Sequence, residues 1–192
     1  NVSHELRTPI SLIKSAIETL QDGAKGDSAA REKFLGIIDR HASRLELLIE
    51  DLLLLSALDS GRIELRTESV ELTGAVQNVI DDLAPAAFSR RVQVVNQVGA
   101  EVKLRADPLR LRQILSNLID NAIKYGREAG TVEISAAPLG GGYLQIRVRD
   151  DGEGMSEATL KRVFERFFRA DKARARQQGG TGLGLAIVKN LV

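Results

Sequence analysis

Residues 34–55 read Phe34-Leu35-Gly36-Ile37-Ile38-Asp39-Arg40-His41-Ala42-Ser43-Arg44-Leu45-Glu46-Leu47-Leu48-Ile49-Glu50-Asp51-Leu52-Leu53-Leu54-Leu55. Within them Phe34, Ile38, His41, Leu45, Leu48, Leu52 and Leu55 alternate spacings of four and three. That is a 3.5-residue repeat, the mark of helices packed side by side in a bundle. Upstream, Leu6, Ile10, Ile13, Ile17 and Leu20 repeat the same alternation, and Gly23, Gly26 and Asp27 interrupt it. Asp27 or Ser28 caps the second helix. Residues 1–60 are therefore expected to form a helical hairpin that lacks its first turns. Leu47, Ile49, Leu53 and Leu54 widen the apolar stripe beyond what one hairpin partner covers, and two helices alone make a thin core. The hairpin is expected to pair with a second copy as a dimeric four-helix bundle. Packing on the chain's own second half is the alternative. His41 falls in the seam and reads as a packing residue.

Past Asp59-Ser60-Gly61 the periodicity changes. Ile63–Leu72 reads as extended, 73–88 as helix, Val92–Val98 and Val102–Arg105 as strands. Pro108–Tyr125 is helical with Pro108 in its first turn. Thr131–Ala136 and Tyr143–Arg149 form a strand pair through Gly140-Gly141-Gly142, and Ser156–Phe164 and Gly182–Val192 read as short helices. Mixed strands and helices predict an α+β fold, with helices layered on a sheet over residues 61–192.

Composition narrows the function. The chain has 192 residues, 43% hydrophobic, with 27 Lys plus Arg against 26 Asp plus Glu. So balanced a charge argues against a general nucleic-acid or anionic-membrane binder. With no Cys, disulfides, thiolate catalysis and Cys-ligated metals are excluded. Aromatics at 4% supply no stacking platform for single-stranded nucleic acid. No apolar run approaches the ~20 residues of a transmembrane helix, and no signal peptide is present.

Five stretches carry chemistry. Gly179-Gly180-Thr181-Gly182-Leu183-Gly184-Leu185 runs straight into an apolar helix, where close backbone approach and unpaired N–H groups suit a bulky anion; a plain glycine turn is the alternative. It fits neither the Walker A nor the dinucleotide pattern. Asp150-Asp151-Gly152-Glu153-Gly154 ends a strand, so an acid can accept from a ligand amine beside room for a flat ring, or the glycines simply close the strand. Asn117, Asn121 and Lys124 stack on one helical stripe. Amide oxygens ligate Mg²⁺ when phosphates complete the shell, Lys124 neutralises phosphate and Tyr125 covers a base; otherwise the stripe is solvated. Val163–Arg169 and the basic Lys172, Arg174 and Arg176 suit a lid over a nucleotide or a charged surface loop. At the start, His4-Glu5-Leu6-Arg7-Thr8-Pro9 places His4 on the flank of the seam, where a reagent reaches it. Thr8 lies one turn on, and Glu5 is placed to fix the imidazole tautomer. Pro9 weakens the helix there.

The order His-Glu-Leu-Arg-Thr-Pro, Asn-x-x-x-Asn-Ala-x-Lys-Tyr, Asp-x-Gly-x-Gly, a Phe-rich segment and Gly-x-Gly-x-Gly resembles bacterial two-component sensor histidine kinases, with their H, N, G1, F and G2 boxes. The resemblance covers almost the whole chain. It implies a dimerisation and histidine phosphoacceptor hairpin over 1–60. Over 61–192 it implies a catalytic ATP-binding α/β sandwich of the gyrase and Hsp90 kind, without the family's final strand. His4 would be the phosphoacceptor, Glu5 its activator and Asn121 a Mg²⁺ ligand with Asn117 near the phosphates. Lys124 and Tyr125 would contact phosphate and base. Asp150 would recognise the adenine amino group in a pocket shaped by Gly152 and Gly154, and Arg166 or Arg169 would reach the γ-phosphate. Gly180, Thr181, Gly182, Leu183, Gly184 and Leu185 would close over the phosphates.

The implied activity is ATP-dependent autophosphorylation on His4, then transfer to an aspartate in the receiver domain of a response regulator. In the phosphatase form of the motif, Thr8 positions water. The implied partners are a second copy and that regulator, with no nucleic acid and a membrane only through an absent sensor region. The chain would be the cytoplasmic portion of an inner-membrane sensor. One rival is an ATPase of the gyrase kind, which needs a Glu where Asn117 stands, and an amide cannot take a proton at neutral pH. The other is a non-catalytic dimeric scaffold.

Overall fold

A computed structural model describes residues 2–23, 26–170 and 180–192. Two antiparallel helices, α1 (Val2–Gln21) and α2 (Ser28–Asp59), form the hairpin. Asp27 is the cap of α2: its carboxylate accepts the N–H groups of Ala29 and Ala30 at 2.9 and 3.2 Å, satisfying donors that the first turn leaves orphaned.

The inner face of α1 differs from the one its spacing predicts. Pro9 and Ala16 are buried, with Leu6, Ile13 and Leu20 partly covered, whereas Ile10 and Ile17 stay 53% and 40% exposed. On α2, Leu48, Leu54 and Leu55 are buried, and Leu35, Leu47, Ile49 and Leu53 remain exposed. Helix α2 ends at Gly61, which has φ 62°, with Arg62 N–H donating to the Ala57 carbonyl.

The second half holds two sheets. Strand β1 (Glu68–Glu71) pairs antiparallel with β3 (Lys103–Ala106). Strand β2 (Gln93–Asn96) runs parallel to β4 (Thr131–Gly140), which pairs antiparallel with β5 (Tyr143–Asp150). Between β1 and β2 lies α3 (Leu72–Ser89); α4 (Pro108–Tyr125) follows β3. A one-turn α5 (Glu157–Leu160) and a terminal α6 (Gly184–Leu191) complete the described elements. The extended stretch expected from Ile63 shrinks to four residues, because β3 offers ladder partners only to Glu68–Glu71. Likewise the helix expected over Ser156–Phe164 stops after Leu160, and Phe167 adopts φ 63° beyond it.

Helix α4 forms where its sequence says. Asp107 accepts from Leu109 and Arg110 N–H at 3.0 and 3.1 Å, and Pro108 fits the first turn. The same carboxylate accepts the Arg66 N–H at 3.0 Å, tying the linker to the helix start. That bond first, then the one from Arg110, holds its pKa below the ordinary value. Leu111, Leu115, Ile119, Ala122 and Ile123 of α4 meet Leu72, Val76 and Val79 of α3 and Val132 and Ile134 of β4 in the main core.

A second cluster joins the halves. Leu48, Leu54 and Leu55 of α2 bury Leu183 and Ile187, with Phe167 and Leu191 packed alongside. Part of the wide stripe on α2 thus covers the chain's own second half, and the rest stays exposed.

Candidate functional site

The place where α4, the turn after β5 and the start of α6 meet gathers most of the residues singled out from sequence. Asn117, on α4, lies so close to α6 that a Cβ on Gly184 would stand 2.8 Å from its Oδ1. Only glycine fits there, and the Asn117 Nδ2 is buried without an acceptor. Farther along the helix, Lys124 Nζ pairs with Asp120 Oδ2 at 2.5 Å, both half-buried. Tyr125 is 43% exposed, and its hydroxyl lies 3.8 Å from where a Cβ on Gly180 would be. Asn121 stands one turn from both Asn117 and Lys124 on this helix.

The opposite wall is the turn after β5. Asp150 Oδ1 accepts the Gly152 N–H at 2.9 Å. A Cβ on Gly152 would meet the Tyr125 carbonyl at 2.6 Å and Asp150 Oδ1 at 2.7 Å, so glycine here lets the turn lie directly on the end of α4. Gly154 follows with φ 72°. Two anchoring residues escaped sequence reasoning. Asp151 accepts the N–H groups of Thr131 and Arg127 at 3.1 and 3.2 Å. Desolvation pushes its pKa up, but these bonds, with its own N–H and the Arg127 charge, together hold the carboxyl below its ordinary value. Arg90 donates to the carbonyls of Ile123, Lys124 and Gly126, capping the end of α4. As an arginine in a polar turn it carries no sequence signal for that role.

The remaining residues meet the hairpin. Glu5 Oε2 lies 3.2 Å from Arg169 Nη2 and 3.9 Å from Arg44 Nη2. Both guanidiniums also donate to the Gly180 carbonyl, Arg44 at 3.2 Å. The Thr181 hydroxyl donates to Asp51 Oδ2 at 2.9 Å and accepts the Leu183 N–H at 3.2 Å. Burial raises the Asp51 pKa, against the lowering effect of the Thr181 bond. Arg166 grips Asp59 at 2.6 and 2.8 Å, and that hydrogen bond lowers the Asp59 pKa. Phe167 N–H donates to the Gly182 carbonyl at 2.8 Å. Leu183 is buried in the seam and Leu185 half-buried at the start of α6. Arg44, Asp51 and Asp59 were invisible as partners, since on a heptad-patterned helix they read as a solvated face.

His4 is exposed on α1, and the Thr8 hydroxyl donates to its carbonyl at 3.2 Å, a bond within the helix. Its neighbour Glu5 faces the two arginines. His41 sits half-buried in the seam; desolvation first, then Arg44 and Arg40, lower its pKa. Gly179, Lys172, Arg174 and Arg176 lie outside the described residues. No described helix is long and apolar enough to cross a membrane.

Known proteins share this arrangement. Residues 1–61 match the family model of the His Kinase A (phospho-acceptor) domain. Residues 106–192 match that of the histidine kinase-, DNA gyrase B- and HSP90-like ATPases. The sensor histidine kinase WalK of Bacillus subtilis (strain 168) is 36% identical over 193 residues, which cover all of this chain and 32% of WalK. Among solved structures, the Acinetobacter baumannii histidine kinase AdeS superposes with a TM-score of 0.78 at 27% identity, covering 98% of this chain and 85% of that one. Full-length ShkA, solved in complex with AMPPNP, gives 0.72 at 29% identity, covering 96% of this chain and 40% of that one. The chain spans about a third of WalK's length.

Proposed function

This chain belongs to the two-component sensor histidine kinases, and from that premise we propose that it transfers the γ-phosphoryl group of ATP to His4 and then to an aspartate of a response regulator. The observation that carries the reading is the bridge that Arg169 makes between Glu5, next to His4, and the carbonyl of Gly180 in the glycine-rich segment. A phosphoacceptor segment and a nucleotide loop thus come together within one chain. Residues 1–60 act as the dimerisation and phosphoacceptor hairpin and 61–192 as the ATP-binding domain.

In this reading the nucleotide lies beside α4, between the turn after β5 and the start of α6. Asp150 keeps one oxygen on the Gly152 N–H and offers the other to the adenine amino group. Gly152 and Gly154 leave room for the ring and Tyr125 flanks the base. Lys124 exchanges Asp120 for phosphate. Asn117, whose Nδ2 lacks an acceptor, gains one in a phosphate oxygen. Gly180, Thr181, Gly182, Leu183, Gly184 and Leu185 wrap the phosphates. Asn121 supplies the hard oxygen that Mg²⁺ takes when phosphates and water fill the rest of its shell, a donor set that fits the ion. Bound there, Mg²⁺ offsets phosphate charge.

The unprotonated imidazole nitrogen of His4 attacks the γ-phosphorus, the bond to the β,γ-bridging oxygen breaks and ADP leaves. Glu5 holds the N–H of the other ring nitrogen, which keeps the attacking one free. Arg169 or Arg166 meets the charge on the transferred group, and positioning does most of the catalysis. In the reverse sense, Thr8 directs water at the regulator's aspartyl phosphate. Two chains associate through the exposed apolar face of the hairpin, and a sensor region outside this chain links the parent protein to the inner membrane.

Incubation with γ-labelled ATP and Mg²⁺ tests this. The expected product carries acid-labile, alkali-stable label on the parent chain and none on His4→Gln. Equal labelling of both would overturn the assignment.

A further inference from the structure

Arg44 lies on α2 with its side chain 15% exposed, and Arg169 comes from the other half of the chain with 9% exposed. Both donate to the Gly180 carbonyl, and Arg169 also meets the Glu5 carboxylate at 3.2 Å, whereas Arg44 stands 3.9 Å from it, an ion pair beyond hydrogen-bond reach. Two guanidiniums therefore share one negative charge. In each the Nε is buried with no acceptor, so the arrangement leaves two donors unmet. Unmet buried donors and like charges at close range both count against the cluster. A triphosphate, with more charge and more oxygens than one carboxylate, is the better partner for Arg169.

We propose that Arg44 is a positioning residue that latches the nucleotide loop to the hairpin: its guanidinium on the Gly180 carbonyl adds to the bridge that Arg169 makes between that carbonyl and Glu5, so that docking of the loop and binding of a triphosphate oppose each other. The inference rests on the function proposed above, since it takes a nucleotide to be what competes. While the latch holds, Arg169 occupies Glu5 and it cannot serve His4. When the triphosphate draws Arg169 and Gly180 away, Glu5 is returned to its neighbour. The bond between Thr181 and Asp51 acts in the same sense, by holding a loop hydroxyl on a hairpin carboxylate.

Linkage fixes the sign of the effect. If nucleotide binds only the undocked form, its apparent affinity is scaled down by the undocked fraction, and weakening the latch must tighten binding. A residue that only packs the hairpin would leave affinity unchanged, and one that touches the nucleotide would weaken it when removed. The whole chain is titrated calorimetrically with a non-hydrolysable ATP analogue in Mg²⁺, as parent, Arg44→Gln and Arg44→Lys. Arg44→Gln is expected to bind about tenfold tighter, the worth of one charged hydrogen bond. Arg44→Lys, which keeps the charge, should fall between it and the parent. Unchanged or weaker binding by Arg44→Gln overturns the latch. Should that variant fail to fold by circular dichroism, Asp51→Asn, which weakens the same docking seam, takes its place with the same expected direction and the same contradicting results. A parent chain that binds no analogue removes the proposed function and the latch with it. A parent that binds, beside variants that bind equally, removes the latch alone.

Discussion

Asn121 and Asn117 occupy one stripe of α4, and the structure distinguishes them. Asn117 is pressed against the start of α6, with its amide nitrogen buried and unmet. Asn121, half-buried, is the one assigned to metal. Replacing Asn121 by Asp adds a negative charge beside the triphosphate and alters the metal's shell. Titration with the analogue should show roughly tenfold weaker binding at a fixed Mg²⁺ concentration, about 1.4 kcal/mol. A curve that overlays the parent's across a Mg²⁺ series would contradict the assignment. At this scale the sequence was informative where a residue's chemistry is unusual for its place. An exposed His beside a Glu and amides at helical spacing next to glycines are such cases. It was silent on Arg44, Asp51, Asp59 and Arg90, whose partners lie 136, 130, 107 and 33 to 36 positions away in the chain. Nothing local marks an arginine or aspartate that is waiting for a distant partner.

Among the elements, α4 was the most legible because Pro108 in the first turn and a regular apolar period agree, and the structure adds the Asp107 cap. It is also the centre of the main core, with Leu115 and Ile119 fully buried. Leu115→Ala should cost about 2–5 kcal/mol, read as a lower denaturation midpoint with an unchanged slope. A loss well under 1 kcal/mol would mean that α4 is not packed as described. The stripe on α1 divides between partners: spacing identifies an apolar stripe but not which edge of it meets α2. Within the chain Pro9 and Ala16 are covered, and Ile10 and Ile17 stay exposed. Strand β1 and helix α5 came out shorter than the pattern because strand length depends on the partner's length and a one-turn helix on its cap, and neither has a period to read.

At the scale of the molecule, the hairpin packs on itself and on the α6 seam, and leaves Ile10, Ile17, Leu47, Ile49 and Leu53 40–66% exposed. The last set supports a second copy. Sedimentation of the parent at tens of micromolar should give a dimer. Ile17→Glu with Leu53→Glu should raise the dissociation constant at least about tenfold, because each places a charge in an apolar interface. A monomeric parent would contradict the pairing. The meeting of the halves at Leu48, Leu55, Leu183 and Ile187 was only half foreseen. A wide stripe on α2 announces additional partners without saying whether they lie in the same chain.

The account stands on transfer of phosphate to one imidazole. The direct measurement is peptide mapping by mass spectrometry at neutral to alkaline pH after incubation with ATP and Mg²⁺. The prediction is a phosphoryl group on His4 in the peptide bearing Ser3, His4 and Thr8. Phosphate released to solvent with no modified peptide, or a phosphoryl group found only on a hydroxyl, would contradict it.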